Sequence, residues 1–245
     1  MTYCVAMSLN EGMVFAADTR TNAGLDNISS YRKLHAFSWP GERVIIILSA
    51  GNLATTQAVL SQIQADTERG DGLRSAARMV DAAAYLGRVS AEVQSRYRGT
   101  DPEHAPSLEA TFLLGGQIAG DTQALFLVYP QGNHIACSED QPFLQIGETK
   151  YGKPILDRIV EPGLSLADAG RCALLSLDST MRSNLSVGPP IDLAIYEANS
   201  LGRPRLVRYK LNSPYFASIR KNWSEGMRRL FDDLPRFDWE RKGSA

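Results

Sequence analysis

Thr2 has the chemistry of a nucleophile once Met1 is removed from the chain. Removal of the initiator methionine is efficient before a small residue such as threonine. The new α-amino group then lies beside the Thr2 hydroxyl. This hydroxyl is a poor nucleophile alone, but an α-amine titrates near pH ~8 and can accept its proton. The chain start is therefore predicted to carry a nucleophile together with its own base.

Further residues are of the types that would support this nucleophile. A Lys33 ammonium near the hydroxyl would lower the hydroxyl pKa and, by like-charge repulsion, keep the α-amine unprotonated, while Asp18 would fix the lysine. Arg32 competes for the same role, but an arginine cannot release its proton. Gly51 follows an apolar run and precedes a helix-like segment, which makes its backbone N–H a candidate oxyanion donor. Together these residue types predict acyl transfer through Thr2.

Each candidate also has a purely structural interpretation. Asp18 could cap a turn or pair with Arg20, Lys33 could be a surface lysine, and Gly51 could simply allow a tight start to a helix. Cys4 is a rival nucleophile because thiolates are more reactive, but as an internal residue it lacks a free amine. The cysteines and histidines show no metal-ligand spacing, so neither a metal nor an organic cofactor is predicted.

The elements that would position these residues follow from the hydrophobic pattern. Alternation in the first residues and an apolar run at 13–17 predict a hairpin around Asn10-Glu11-Gly12, with Asp18 at its end. Longer apolar stripes predict amphipathic helices at 52–68, with Asn52 as the N-cap, and at 75–97. Further strands are predicted at 33–37, 44–48, 110–116, 123–129, 133–137, 143–146, 191–197 and 205–210. Further helices are predicted at 153–160, 165–182 and 218–231. A loop is predicted at 99–107 and an extended segment at 232–239.

Composition bounds the class of protein. The 245 residues contain no Pro/Gly/Ser-rich linker, so one large core is predicted. With 26 Lys and Arg against 27 Asp and Glu, the chain has no basic footprint for nucleic acid. No apolar run reaches the ~18 residues of a membrane span, and the first residues lack the pattern of a signal peptide. A cytoplasmic protein with no nucleic-acid or membrane partner is expected.

Several motifs resemble those of known hydrolases. Asp18-Thr19-Arg20, Arg32-Lys33-Leu34 and Ser49-Ala50-Gly51, behind a threonine at the chain start, are similar to the N-terminal part of proteasome β subunits and of the related bacterial ATP-dependent peptidase. Thr2-Tyr3-Cys4-Val5 and the longer motifs at 19–29 and 181–188 resemble the bacterial proteasome-related family called Anbu, the ancestral β subunit. This resemblance runs over nearly the whole chain.

The resemblance implies an α+β fold, a four-layer αββα sandwich of the N-terminal-nucleophile hydrolase type. It also implies self-association into a ring or stacked homo-oligomer, and leaves open whether an ATPase partner is needed. Site residues are carried over by position. Ser183 and Ser186 match the auxiliary group close to the nucleophile, and Thr21, Ser49 and Leu53 would line the side-chain pocket.

Two positions depart from the pattern of active proteasome β subunits. This chain has Ser183 where those subunits usually have an aspartate, and Glu148 where they usually have a serine. Both positions support the nucleophile and its amine in that family. The local charge is therefore expected to differ, with Glu148 supplying a carboxylate from the other side. The same departures are typical of the Anbu relatives.

Residues 1–212 are predicted to form the proteasome β-subunit-like domain. Residues 213–245 are predicted to be a C-terminal extension that packs on this domain or on a neighbouring subunit, because its helix has an apolar face. The predicted function is that of a threonine-type endopeptidase acting on peptides or unfolded protein. Two alternatives stay open: a self-assembling scaffold with weak or no peptidase activity, and an amidase specific for a small molecule or a peptide.

Overall fold

The computed structural model describes residues 1–22, 28–97 and 107–241. Most of the predicted loop at 99–107, and residues 23–27 of the first Anbu-like motif, lie outside these residues. The strands are β1 (Tyr3–Leu9), β2 (Gly12–Asp18), β3 (Arg20–Asn22), β4 (Ile28–Ser30), β5 (Leu34–Trp39), β6 (Arg43–Gly51), β7 (Ala110–Ile118), β8 (Ala124–Val128), β9 (His134–Ala136), β10 (Phe143–Gly147), β11 (Ile191–Glu197) and β12 (Arg205–Tyr209). The helices are α1 (Leu53–Glu68), α2 (Met79–Tyr97), α3 (Lys153–Ile159), α4 (Leu166–Ser183), α5 (Pro214–Asp232) and α6 (Asp238–Arg241).

Two five-stranded antiparallel sheets form the centre of the molecule. The first has the strand order β10-β1-β2-β11-β12 and the second β5-β6-β7-β8-β9, while β3 and β4 form a separate two-stranded ribbon. Strand β1 lies between β10 and β2, with Tyr3 opposite Gly147 and Cys4 opposite Ala17. The predicted opening hairpin of β1 and β2 is confirmed, and the chain begins in the interior of a sheet.

The two sheets pack face to face between two layers of helices. Cys4 and Phe15 of the first sheet meet Ile46 and Leu113 of the second in a buried cluster. Helices α1 and α2 cover the outer face of the second sheet, and α3, α4 and the first half of α5 cover that of the first. Alternate residues of β1 therefore enter two different cores, since successive side chains of a strand point to opposite faces. The predicted four-layer αββα sandwich is confirmed.

Helix α2 is shorter than its pattern predicts. It begins at Met79, whereas the apolar stripe predicts a helix over 75–97. The Arg43 guanidinium, at the start of β6, donates to the Ala76 carbonyl oxygen at 2.7 Å. This bond from another element holds the preceding residues in turns, so the helix starts one turn later. Local periodicity carries no information about such a long-range contact.

The C-terminal helix α5 is anchored to the domain through its first half. It begins at Pro214, four residues before the predicted start, because a proline suits the first turn of a helix. Phe216 is fully buried against α4, and the Arg220 guanidinium pairs with Asp178, a buried residue of that helix.

Residues 227–241, here called the C-terminal arm, contain apolar side chains that the described part of the chain does not cover. Large side chains at least half exposed are Met227, Leu230, Phe231, Leu234, Phe237 and Trp239. The prediction of an extended segment at 232–239 is wrong at its end, because α6 begins at Asp238 and the rings of Phe237 and Trp239 stack at 5.6 Å. The boundary between residues 212 and 213 stays a prediction. None of the helices in the described ranges combines the length and apolar character that a membrane crossing needs.

Candidate active site

The centre of the candidate site is a buried ion pair between Asp18 and Lys33. Asp18 is the last residue of β2 and is fully buried, and the Lys33 ammonium lies 2.7 Å from its Oδ1. Lys33 immediately precedes β5 and also donates to the Arg20 carbonyl oxygen at 2.7 Å. The carboxylate accepts two backbone N–H groups as well, from Tyr3 at 3.0 Å and Gly188 at 3.1 Å. Asp18 therefore joins the lysine, the chain start and the segment before β11.

The charges of this pair are compensated inside the protein. Burial raises the pKa of Asp18 above its ordinary value, and the Lys33 ammonium and the two backbone donors oppose that rise. The lysine is fixed in turn, because its ammonium bridges a carboxylate and a backbone carbonyl. Asp18 thus contacts Lys33 as predicted, and the catalytic role of the pair stays a prediction.

Thr2 is held by hydrogen bonds at the start of β1. Its carbonyl oxygen accepts the Glu148 N–H at 2.8 Å, and the N–H of the following residue binds Asp18. Met1, whose removal is predicted, is 67% exposed and lies at the surface. Thr2 itself is partly buried and lines the same cavity as Lys33. The position of the predicted nucleophile is therefore set by the sheet.

An open cavity of about 1190 Å³ joins the predicted site residues. Thr2, Lys33 and Gly51 lie on its wall, and the residues predicted for the side-chain pocket line it too: Thr21, Ser49 and Leu53. The cavity continues along one face of α1, formed by residues spaced three and four positions apart: Thr56, Gln57, Leu60, Ser61, Gln64, Ala65 and Glu68. One cavity thus contains Thr2, the lysine and the residues predicted for the pocket.

Gly51 lies where β6 ends and α1 begins. Its φ is +114°, a region that favours glycine, and a Cβ there would lie 2.3 Å from the Glu109 carbonyl oxygen. The next residue, Asn52, caps α1 by accepting the Thr55 N–H at 3.1 Å, which confirms the predicted N-cap. Gly51 therefore has the structural role considered for it as well as a place on the cavity wall. Its role as an oxyanion donor stays a prediction.

Ser183 and Ser186 are not among the residues lining this cavity. Ser183 ends α4 and is exposed, while the Ser186 N–H donates to Asn184 Oδ1 at 2.9 Å. The residue of this segment that reaches the chain start is Asn184, whose Nδ2 lies 3.0 Å from Glu148 Oε2 and 3.8 Å from Met1 Sδ. Asn184 is not among the site residues predicted from the sequence, although it lies in the Anbu-like motif at 181–188.

The rival candidates have surroundings that fit other roles. Cys4 is fully buried, its Sγ donates to the Ser49 carbonyl oxygen at 3.6 Å, and burial raises its pKa, which disfavours the reactive thiolate. Arg32 is exposed on the cavity rim. His35, a further cavity residue that the sequence analysis did not assign, has its pKa lowered by burial. Among the residues that the structure describes, no His, Cys, Asp and Glu side chains cluster as a metal site would require.

The fold and this cavity define the class of protein. A four-layer αββα sandwich with a threonine at the start of a central strand is the arrangement of N-terminal-nucleophile hydrolases, and a model of the proteasome subunit family matches residues 2–196. No curated protein matches the chain.

Three solved structures of Anbu proteins are similar to this chain over nearly the whole length of both chains. Anbu (ancestral beta-subunit) from Yersinia bercovieri is 47% identical with a TM-score of 0.92, over 97% of this chain and 99% of that one. The helical assembly of the Anbu complex from Pseudomonas aeruginosa is 47% identical with a TM-score of 0.92, over 96% and 98%. An Anbu (Gly-1) mutant from Hyphomicrobium sp. strain MC1 is 47% identical with a TM-score of 0.90, over 97% and 100%. The chain belongs to the Anbu family of proteasome-related proteins.

Proposed function

We propose that this chain is a threonine-type hydrolase that cuts amide bonds in peptides or unfolded proteins after Met1 has been removed. The observation that carries the proposal is the buried Lys33–Asp18 pair beside a cavity that also contains Thr2. A lysine in such a pair supplies a fixed positive charge next to the hydroxyl, which favours the alkoxide that attacks a carbonyl carbon.

In the proposed reaction the Thr2 hydroxyl attacks the carbonyl carbon while the Thr2 α-amine takes its proton. The Gly51 N–H donates to the resulting oxyanion. The amine then protonates the leaving nitrogen, the amide C–N bond breaks, and an ester to Thr2 is left. Water attacks this ester with the amine again as base, which releases the acid product and restores the hydroxyl.

The cavity supports a peptide as the substrate class. Its volume of about 1190 Å³ is larger than a single side chain needs, and it opens to solvent along α1. Thr21, Ser49 and Leu53 combine polar and apolar contacts near the nucleophile, so a mixed rather than a sharply selective side-chain pocket is proposed. An amidase for a small specific substrate is the second candidate, because the cavity beside Thr2 is partly enclosed and could hold a small molecule.

Self-association is part of the proposed function. The exposed apolar side chains of the C-terminal arm support self-association, because exposed apolar patches are typical of contact surfaces. The Pseudomonas aeruginosa relative, matched over 96% of this chain, is described as a helical assembly. We propose that a second copy of the chain covers the arm. Light scattering of Phe231→Glu should then report a smaller assembly than the wild type, and an unchanged mass would contradict the proposal.

The experiment that tests the hydrolase is the intact mass of the purified protein before and after treatment with a peptide epoxyketone. We expect the protein to lack Met1 and to gain one covalent adduct. The adduct should be absent in Thr2→Ala and present in the exposed control Thr122→Ala. Cleavage of unfolded protein separates the endopeptidase from the amidase. A chain that keeps Met1 and takes no adduct would contradict both and leave the scaffold hypothesis.

A further inference from the structure

Glu148 and Asn184 form a polar pair directly against the start of the chain. The Glu148 N–H donates to the Thr2 carbonyl oxygen at 2.8 Å, and its Oε2 accepts the Asn184 Nδ2 at 3.0 Å. The same Nδ2 lies 3.8 Å from Met1 Sδ, so the Met1 side chain rests against this pair. Removal of Met1 would uncover the pair beside the new terminus.

The pair is fixed in orientation and short of positive charge. The Ser186 N–H donates to Asn184 Oδ1 at 2.9 Å, which turns the Asn184 NH₂ group toward Glu148. The Glu148 side chain is only 10% exposed, and the cation that the described residues place within ion-pair distance of it is Lys150 at 3.8 Å, whose side chain is 69% exposed. A carboxylate so nearly buried is costly unless a cation or several donors compensate it.

The new α-amino group would arise beside the backbone of Glu148. The backbone nitrogen of a residue lies within about 4 Å of its own carbonyl oxygen, because three covalent bonds join them. The Thr2 carbonyl oxygen is bound to Glu148, and the Met1 atoms that contact Asn184 are those that leave. We propose that Glu148, oriented by Asn184, binds the terminal ammonium of processed Thr2 and so controls the pH at which this amine becomes a base.

The groups around the terminus act in opposite directions. Glu148 and the C-terminal end of α4, which ends at Ser183, favour the ammonium form. Lys33 and Arg20, whose guanidinium donates to the Leu185 carbonyl oxygen at 2.7 Å, disfavour it, but Lys33 is offset by Asp18 at 2.7 Å and Arg20 is partly exposed to solvent. Lys150 offsets Glu148 only weakly because it is exposed to solvent. The Glu148 carboxylate is therefore expected to have the largest effect on the Thr2 α-amine. This amine should stay protonated to a higher pH than an ordinary chain terminus.

The inference rests on the proposed function only in requiring Thr2 as the first residue. The test uses the full chain fused behind a ubiquitin-like protein whose protease leaves Thr2 first, so that every variant has the same terminus. The pKa of the α-amine is measured from the pH dependence of its acylation by trace acetic anhydride, read by peptide mass spectrometry from about pH 6 to about pH 10. This measurement is independent of any peptidase activity.

The variants Glu148→Gln and Asn184→Asp should shift the pKa of the α-amine in opposite directions. Glu148→Gln keeps an acceptor for Asn184 and should lower the pKa of the α-amine by about one, making acylation near neutral pH up to about tenfold faster. Asn184→Asp adds a carboxylate and should raise that pKa. Glu161→Gln, at an exposed carboxylate elsewhere, should leave it unchanged. If the enzyme is active, the acid limb of its rate profile should follow these shifts.

An amine pKa that is the same in Glu148→Gln as in the wild type overturns the inference, and so does an equal shift in Glu161→Gln. If Glu148→Gln does not fold, the Asn184→Asp variant decides, because an unchanged or lowered pKa there also overturns it. A shift as expected, in a protein that forms no epoxyketone adduct, would leave this inference standing while the proposed hydrolase fails.

Discussion

Replacement of Lys33 by methionine tests the buried ion pair most directly. The change keeps most of the side-chain length but leaves the Asp18 carboxylate fully buried with only two backbone donors. Removing one partner of a buried pair costs about 3–5 kcal/mol, because the remaining charge is uncompensated. We therefore expect Lys33→Met to lower the free energy of unfolding by about that amount near neutral pH, and to abolish labelling of Thr2.

The pH dependence of the variant separates a buried charge from simple loss of packing. Without the lysine, burial should raise the pKa of Asp18 further above its value in the unfolded chain. The folded state then binds more protons than the unfolded state between these two pKa values, so stability falls as pH rises through that interval. The slope is about 1.4 kcal/mol per pH unit. Below the unfolded pKa, Asp18 is neutral in both states and the penalty disappears.

Urea unfolding across this pH range, at one protein concentration so that assembly is constant, measures the effect. The double variant Asp18→Asn with Lys33→Met removes both charges and should recover part of the loss and have no such slope. Arg208→Met is the matched control, since it breaks the bidentate but more exposed pair with Asp192. A Lys33→Met protein that loses less than about 1 kcal/mol with no pH slope would refute the assignment of a buried charge pair.

Three further predictions concern single positions and are measured by urea unfolding. Gly51→Ala should cost about 1–3 kcal/mol and reduce labelling of Thr2, because its φ of +114° is strained for alanine and its Cβ would meet a backbone carbonyl; a normal stability would count against this geometry. Phe216→Ala should cost about 3–5 kcal/mol because the ring is fully buried, whereas Phe231→Ala in the arm should stay within about 0.5 kcal/mol in the dissociated chain. Tyr3→Phe should cost about 1–3 kcal/mol by removing the hydroxyl that bonds the buried Ser176 and the partly buried Gln145, and an unchanged free energy of unfolding would contradict these contacts.

The positions of Thr2 and of the Asp18–Lys33 ion pair could be predicted because each is tied to a local signal. Asp18 ends a run whose apolar character marks a strand, and Lys33 begins the next predicted strand, so both fall at strand ends near the chain start. Gly51 could be placed for the same reason, between an apolar run and a helix N-cap. Their convergence on one cavity follows from the pairing of β5 with β6 and of β1 with β2, and the sequence predicts the second of these pairings as a hairpin.

The auxiliary residues could not be predicted in the same way. The resemblance directs attention to Ser183 and Ser186, whose roles stay predictions, and the structure adds Asn184 beside the chain start. Beyond the last turn of a helix, the direction of each side chain depends on the cap and not on helical periodicity. The neighbours of the residues that follow α4 therefore cannot be inferred from the helical pattern. The start of α2 has the same origin, since a guanidinium from a distant strand decides it. Predictions from pattern fail where a single long-range hydrogen bond fixes the backbone.

The two ends of the chain differ in a way that bears on the proposed catalysis. Terminal residues are normally loose, and a loose nucleophile would have to be ordered in each reaction cycle. Here Thr2 enters a strand with neighbours on both sides, so folding itself fixes its backbone and the ordering cost does not recur. At the other end, only the first half of α5 is anchored, and the arm exposes its apolar side chains. A nucleophile placed at the terminus of a central strand thus requires a rigid start to the chain, whereas contacts with a second copy require only an accessible end.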